Sequence, residues 1–192
     1  MTNFNKLLVI NLIVITFVLS ACTHAQLSYQ LDPELNNFPP PVANTKLIAF
    51  DLIDKTSTNQ SISGKESVYV VSDRQQFSPL SQKFINRLKA LDYKIISNPL
   101  LADIAITIEI SQLDLLLEKG IFKSKFNAYS QIKFTINKKS EPWSKIYKAN
   151  KTQEVANPAT NLDATGIINQ LLSEQLEKGF SDPSLLKFLK KQ

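Results

Sequence analysis

Two residue types that carry much of enzyme chemistry are almost missing from this 192-residue chain. Cysteine and histidine occur once each, as Cys22 and His24. One thiol cannot form an internal disulfide, and the usual nucleophile–base pairs and soft metal sites need more such residues. The four glycines stand far apart, so there is no glycine-rich phosphate loop. The sequence therefore predicts no cofactor, no metal site and a fold that is stabilised by its hydrophobic core.

The first 21 residues have the organisation of an export signal. Lys6 precedes an apolar stretch over residues 7–19, which is shorter than the ~20 residues of a membrane-spanning helix. The stretch ends in a motif similar to the bacterial lipobox, in which a cysteine thiol is acylated before the signal is removed: Leu19, Ser20, Ala21 and Cys22. We expect residues 1–21 to be a signal peptide and Cys22 to carry lipid. The alternative is an ordinary buried or unmodified thiol.

Residues 22–44 are predicted to form the acylated cysteine and a proline-rich tether. Pro33 and the triplet at residues 39–41 remove amide donors and favour an extended chain. At ~3.1 Å per residue, a tether over residues 23–44 would reach roughly 70 Å. Part of it is expected to lie against the domain, because several apolar residues are costly to expose: Leu27, Tyr29, Leu31, Leu35 and Phe38.

Residues 45–192 are predicted to form a single α+β domain. The stretches "KLIAFDLI" and "SVYVVS" have the composition of strands. A helix is expected to begin at Ser78 and Pro79, with the serine as its cap and the proline in its first position. An apolar stripe at helical spacing follows: Leu80, Phe84, Ile85, Leu88 and Leu91.

A long antiparallel meander is predicted next. Isoleucines occupy even positions over residues 104–110, whereas leucines occupy odd positions over residues 113–117. A regular strand would place the two sets on opposite faces, so we predict a β-bulge at Ser111 and Gln112. The alternative is a sheet that is covered on both faces. Residues 126–136 alternate as an antiparallel partner, and residues 143–155 alternate poorly, as is typical of an edge strand.

The remaining chain is predicted to be helical. Thr160 and Asp163 fit a capping box, apolar residues repeat at helical spacing to Leu176, and Gly179 is expected to end the helix. A short basic amphipathic helix follows Pro183, and we expect it to dock on its own domain rather than on anionic membrane. The order β-β-α-β-β-β-α predicts a two-layer α+β sandwich: an antiparallel sheet of about five strands with two long helices on one face.

This arrangement is similar to that of the YajG-like lipoproteins of Gram-negative bacteria. The similarity rests on the lipobox and tether, on "FINRLKALDYKI" and "ADIAITIEISQLDLLLEKG", on the long hairpin, and on the ending "SDPSLLKFLKKQ". It implies a periplasm-facing lipoprotein of unassigned molecular function. Thr23 follows the cysteine where aspartate would resemble an inner-membrane retention signal, which favours the outer membrane.

Positive charge is concentrated over residues 119–151, which contain nine lysines and one acid, Glu141. Such a stretch could meet anionic headgroups or a wall polymer, and aromatic residues could add stacking. The alternative is that the lysines protect exposed strand edges. Nucleic acid is not expected as a partner of an exported protein. The possible binding surface consists of Lys133, Lys138, Lys139, Trp143, Lys145, Tyr147 and Lys148.

Carboxylates are the remaining candidates for catalysis, since paired acids can cleave glycosides. They lie at strand ends and along the meander: Asp51, Asp54, Asp103, Glu109, Asp114 and Glu118. We expect them to be solvated or capping groups, and the protein not to be an enzyme. The favoured function is a lipid-anchored binding or scaffold module that contacts an envelope protein or the cell wall. The alternative is an accessory lipoprotein that handles lipopolysaccharide or another amphiphile, which would require an apolar groove between the layers.

Overall fold

The structure is a computed structural model and describes residues 27–35, 47–56, 67–69, 71–72, 76–138 and 141–190. The strands are β1 (Ser28–Tyr29), β2 (Leu47–Asp54), β3 (Ser67–Tyr69), β4 (Val71–Ser72), β5 (Lys94–Ile95), β6 (Ile104–Lys119), β7 (Lys123–Lys138) and β8 (Glu141–Ala156). The helices are α1 (Phe77–Ala90), α2 (Asn161–Phe180) and α3 (Pro183–Lys190), and a 3₁₀ turn covers Pro99–Leu101.

The main sheet of the described chain is mixed, with the order β5-β2-β6-β7-β8 and with β3 beside the second half of β6. Strands β6, β7 and β8 pair antiparallel, as expected. The prediction of a wholly antiparallel sheet is wrong, because β2 pairs parallel with both β5 and β6. Helix α1 lies between β2 and β5 in the chain and returns it to the same end of the sheet, as parallel pairing requires.

The predicted β-bulge in β6 is confirmed. The pairing of β6 with β7 shifts register between Ile110 and Gln112. The isoleucines before the shift and the leucines after it consequently share one buried face, and within the described chain no helix covers the opposite face, contrary to the alternative of a sheet covered on both faces. Ser111 Oγ donates a hydrogen bond to the Gln131 carbonyl at 3.2 Å, which satisfies a polar group at the irregularity.

The described helices pack on this apolar face, as predicted. Phe84 of α1 stacks on Phe50 with ring centroids 5.2 Å apart, and Phe180 of α2 meets Phe134 edge to face at 5.2 Å. Gly179 permits this approach, because a Cβ at that position would lie 2.5 Å from the Phe134 ring. Gly179 therefore serves packing, and α2 continues beyond it to Phe180.

The helix boundaries confirm one capping prediction and correct another. Thr160 and Asp163 form the predicted capping box of α2. Helix α1, however, begins at Phe77, with Gln76 before it, so Ser78 and Pro79 lie inside its first turn. The prediction that Ser78 caps this helix is wrong, because burial of Phe77 extends the apolar stripe by one turn toward the N-terminus. The short helix α3 docks on the domain as predicted, with Leu185 and Leu189 buried.

An N-terminal strap, residues 27–35, lies along α2. Its alternate backbone N–H groups donate to side chains that recur every four residues on the helix. The pairs are Ser28 with Asn161 at 3.1 Å, Gln30 with Thr165 at 3.2 Å, Asp32 with Asn169 at 2.8 Å, and Glu34 with Ser173 at 2.7 Å. Four helical residues rise about 6.0 Å and two extended residues about 6.6 Å, so the two repeats match over this length.

The strap also contacts α1. Gln76 accepts from the Leu31 N–H at 2.6 Å and donates to the Tyr29 carbonyl at 2.9 Å. Lys83 donates to Asp32 at 2.5 Å and to the Pro33 carbonyl at 2.8 Å. Apolar side chains of the strap enter the core: Tyr29, Leu31 and Leu35. The prediction that part of the proline-rich segment lies against the domain is therefore confirmed for these residues, whereas Phe38 lies outside the described residues.

We predict that Asn169→Ala destabilises the fold by roughly 1–2 kcal/mol, because Asn169 both accepts from Asp32 N–H and donates to the Gln30 carbonyl at 2.9 Å. Urea denaturation measures the free energy of unfolding, and hydrogen exchange should show reduced protection of the Asp32 amide. The exposed neighbour Gln170 supplies the control variant Gln170→Ala, which should change neither quantity. Equal stability of the two variants would contradict a role for the ladder.

Candidate functional site

The predicted lipid site lies outside the described residues. Leu19, Ser20, Ala21 and Cys22 all precede Leu27, the first described residue, so acylation of Cys22 stays a prediction. Leu27 follows Cys22 by only five residues. Within the described chain, no helix is both long and apolar enough to cross a membrane.

The predicted basic surface is divided between the two faces of the sheet. Every second side chain in this part of β8 points toward α3: Trp143, Lys145 and Tyr147. Trp143 Nε1 donates a hydrogen bond to Ser184 Oγ of that helix at 3.3 Å. Lys138 lies beside the same helix and donates to the Leu189 carbonyl at 3.4 Å. The structure places Lys133 and Lys148 together on the opposite face, and Lys139 lies outside the described residues.

Lys145 and Tyr147 are engaged by a buried carboxylate, Asp182, which is 7% exposed. Its Oδ2 accepts from Lys145 Nζ at 2.6 Å and from the Tyr147 hydroxyl at 2.8 Å. Its Oδ1 accepts from the Ser184 N–H at 2.8 Å and from the Ser184 hydroxyl at 2.5 Å. Hydrogen bonds from Lys145 and then Ser184 lower the pKa of Asp182 well below its usual range. Burial, and then Asp182 itself, raise the pKa of Tyr147.

This cluster connects β8 to the first turn of α3. A second polar contact connects the sheet to α2, where the Gln175 amide accepts from Ser130 Oγ at 2.5 Å and donates to the Tyr147 carbonyl at 2.7 Å. Both clusters satisfy buried polar atoms and position helices on the sheet. We did not predict either of them. Gln175 could have been identified from the sequence, because it is a polar residue within the apolar stripe of α2. Asp182 could not, because in the sequence it resembles any aspartate that caps a helix.

The opposite side of the long strands is a polar surface, here called the open face. No helix of the described chain packs on it, and its side chains are half-buried by their neighbours or exposed. Glu109 lies near its middle, 2.9 Å from Lys55 Nζ and 3.9 Å from Lys133 Nζ. The side chains of the open face include Thr107, Glu109, Asp114, Tyr129, Gln131, Lys133, Ile146 and Lys148.

The lysines of residues 119–151 do not form one patch in the folded chain. Four of them pair with acids from other positions: Lys123 with Glu154 at 3.1 Å, Lys133 with Glu109 at 3.9 Å, Lys145 with Asp182 at 2.6 Å, and Lys151 with Glu174 at 2.6 Å. The open face retains Lys133 and Lys148 beside acidic, amide and apolar groups. Its charge is therefore mixed.

The candidate carboxylates have separate local partners. Asp54 accepts from the Thr56 N–H at 2.8 Å, and Asp103 accepts from the Leu47 N–H at 2.9 Å. Asp114 accepts from Gln112 at 2.5 Å, and Glu118 accepts from Asn127 at 2.7 Å. Among the described residues, no three acidic, histidine or cysteine side chains are grouped as a metal site. These contacts are those of turn, capping and surface groups.

Two clefts lie at the margins of the sheet. One, of about 590 Å³, is at the end where β6 meets β7, and its lining includes Leu27, Leu117, Pro158 and Ala159. The other, of about 630 Å³, follows the edge near β5 and includes Phe50, Ile85 and Ile95. Neither lies between the sheet and α2, where the core side chains are fully buried.

We predict that Asp182→Asn lowers the free energy of unfolding at pH 7 by roughly 1.5–3 kcal/mol, because it weakens charge-assisted hydrogen bonds. The pKa of Asp182 is lower in the folded than in the unfolded protein. The ionised carboxylate therefore contributes fully to the free energy of unfolding above the unfolded-state pKa of about 4, and this contribution is lost as the pH falls further. Denaturation curves should show that the difference in free energy of unfolding between wild type and variant becomes smaller below about pH 4. Asp51→Asn, at an exposed carboxylate, is the control, and a gap independent of pH would refute the assignment.

The comparisons with known proteins concern the family and the fold. No curated protein matches the chain. The solved structures that are similar to it at low identity include the following three. Lipoprotein GNA1162 from Neisseria meningitidis has a TM-score of 0.33 and 7% identity, over 68% of this chain and 94% of that one. An uncharacterised protein has a TM-score of 0.37 and 11% identity, over 84% and 99%. The hypothetical protein CT253 from Chlamydia trachomatis has a TM-score of 0.34 and 11% identity, over 70% and 93%.

A family model described as "Uncharacterized lipoprotein" matches residues 54–190, which is well over half of the chain. The match includes the long meander, α1, α2 and α3. The resemblance to the YajG-like proteins stays a prediction, because the matching model is described only as an uncharacterised lipoprotein. The chain belongs to this family of uncharacterised lipoproteins.

Proposed function

We propose that the protein is a non-catalytic binding module, anchored through acylated Cys22 to the outer membrane and facing the periplasm. The family match supports a lipoprotein, and residues 19–22 supply a fitting acylation motif. Thr23 supports the outer membrane, because an aspartate there would resemble a retention signal.

The observation that carries the proposal is the open face. Each of β6, β7 and β8 has 16 residues, so this surface extends for about 50 Å along the strands. It presents Tyr129 and the 52%-exposed Ile146 among charges of both signs. Such a mixture fits a folded protein partner better than a uniformly anionic wall polymer, because opposite charges and apolar groups need matching positions.

A groove for an amphiphile is less well supported. The alternative function requires apolar space between the layers, whereas the side chains between the sheet and α2 are fully buried and the cleft of about 630 Å³ beside α1 has a lining of both polar and apolar groups. Catalysis is also less well supported, because four of the candidate carboxylates contact backbone or amide groups and Glu109 pairs with Lys55 and Lys133. We assign them no role in proton transfer.

We predict that Cys22→Ser abolishes incorporation of a fatty-acid probe in cells and leaves an uncleaved or soluble form. The hydroxyl lacks the thiol that acylation requires. Labelling in cells and membrane fractionation check the result, and the wild-type chain should be recovered with the outer membrane. Normal labelling of the variant would refute the lipid site, and recovery of the wild type with the inner membrane would refute the location.

We predict that the double variant Lys133→Glu/Lys148→Glu weakens association with the partner, and that salt weakens the wild-type association. A photo-crosslinking residue at Ile146 should capture a partner in intact cells, whereas the same residue at Gln170 on α2 should not. Complementation of a deletion strain should fail for the lysine variant. It should succeed for single amide changes at Asp51, Asp54, Asp114 and Glu118.

The matched control is Lys178→Glu/Lys187→Glu, which makes the same change of charge at two exposed positions on the helical side. It should complement normally. Equal loss of function in both lysine variants would show that net charge, not the open face, is required. Loss of function from one amide change, in folded and lipidated protein at normal abundance, would refute the non-catalytic role.

A further inference from the structure

Two adjacent apolar side chains are exposed at the turn between β6 and β7. Ile121 is 87% exposed and Phe122 is 86% exposed. The turn is tight, because a Cβ at Gly120 would clash with the Lys123 carbonyl. Leu162, in the first turn of α2, is 80% exposed. Exposed apolar groups that lie together mark a contact surface more often than scattered ones do.

Asn157 holds the turn beside the segment that leads into α2, so the turn and Leu162 lie at the same end of the molecule. Its Nδ2 donates to the Gly120 carbonyl at 2.6 Å and to the Ile121 carbonyl at 3.1 Å, and its N–H donates to the Phe122 carbonyl at 3.4 Å. The chain then enters α2 at Asn161, which accepts from the Ser28 N–H at 3.1 Å. The apolar cleft of about 590 Å³ lies between the turn and Leu27. The start of the strap is therefore at the same end as the exposed side chains.

The position of Leu27 limits the distance from this end to the anchor. Leu27 is five positions after Cys22, so a fully extended connection spans about 18 Å at most. The tether that the sequence predicted over residues 22–44 is thus shortened, because residues 27–35 lie on the domain. An acylated Cys22 would hold this end close to the bilayer surface.

We propose that Ile121, Phe122 and Leu162 form a membrane-docking end that inserts into the interface of a phospholipid bilayer beside the anchor. This proposal rests on the acylation of Cys22. Lys119 and Lys123 flank the two turn residues and can lie along the interface with their ammonium groups among the headgroups. Glu118 and Glu154 share this end, so apolar contact rather than net charge provides the attraction. The docking end is distinct from the open face that we assign to a partner.

The test uses the purified, lipidated full chain in vesicles of phosphatidylethanolamine and phosphatidylglycerol. A cysteine is introduced by Phe122→Cys or by Leu162→Cys and carries an environment-sensitive dye. Dye emission should shift to the blue on reconstitution, and nitroxides on the lipid chains should quench it. The shift should persist at high salt. The matched control is Leu100→Cys, because Leu100 is 90% exposed and lies before β6, at the opposite end of the long strands.

The outcomes separate this proposal from the lipid site. The parent chain, whose only cysteine is Cys22, should accept no thiol dye and should incorporate a fatty-acid probe. Failure of that check refutes acylation. If acylation holds but dyes at positions 122 and 100 are quenched equally little, the docking end is refuted. A blue shift of the dye at position 122 that occurs without lipid and increases with protein concentration would show that this end contacts a second copy of the chain. That result would also overturn the proposal.

Discussion

The β-bulge at Ser111 and Gln112 is the constraint on which the arrangement of the two faces depends. It lets one 16-residue strand place both its isoleucines and its leucines toward the helices. Without the shift in register, Leu113, Leu115 and Leu117 would project onto the open face. The core would then lose three large side chains, and the polar surface would become an apolar strip prone to association. The bulge therefore stabilises the core and keeps the opposite face polar.

The strap adds a second constraint, which concerns orientation rather than stability alone. Side chains at residues 161, 165, 169 and 173 take the place of a neighbouring strand, since they accept hydrogen bonds from every second amide of the strap. Residues of low helix propensity are used here because their short polar groups reach the backbone. This pairing fixes where the N-terminal segment leaves the domain, and hence the end at which a lipid anchor would attach.

Periodicity predicted which residues share a face, but not the direction or the connections of the strands. The bulge, the capping box of α2 and the docking of α3 were predictable, because each depends on neighbouring residues. The parallel pairing of β2 was not, since an alternating strand reads alike in both directions. The strap ladder was also missed, although Asn161, Thr165, Asn169 and Ser173 repeat every four residues. The lysine-rich stretch over residues 119–151 did not predict the charge of the folded surface, because adjacent residues of a strand point to opposite faces.

Together, the β-bulge and the strap define how the long strands are oriented relative to the N-terminal segment. Strands β6, β7 and β8 begin or end near the strap, and their other ends lie about 50 Å away. If the strap end is held at a bilayer, the strands extend away from it, and the open face is presented along its whole length rather than pressed against lipid. A short connection and a long polar sheet are then complementary features. The short connection limits rotation, and the long sheet gives a partner a surface at a defined height and direction. For the binding function that we propose, this geometry would supply specificity without chemically reactive side chains.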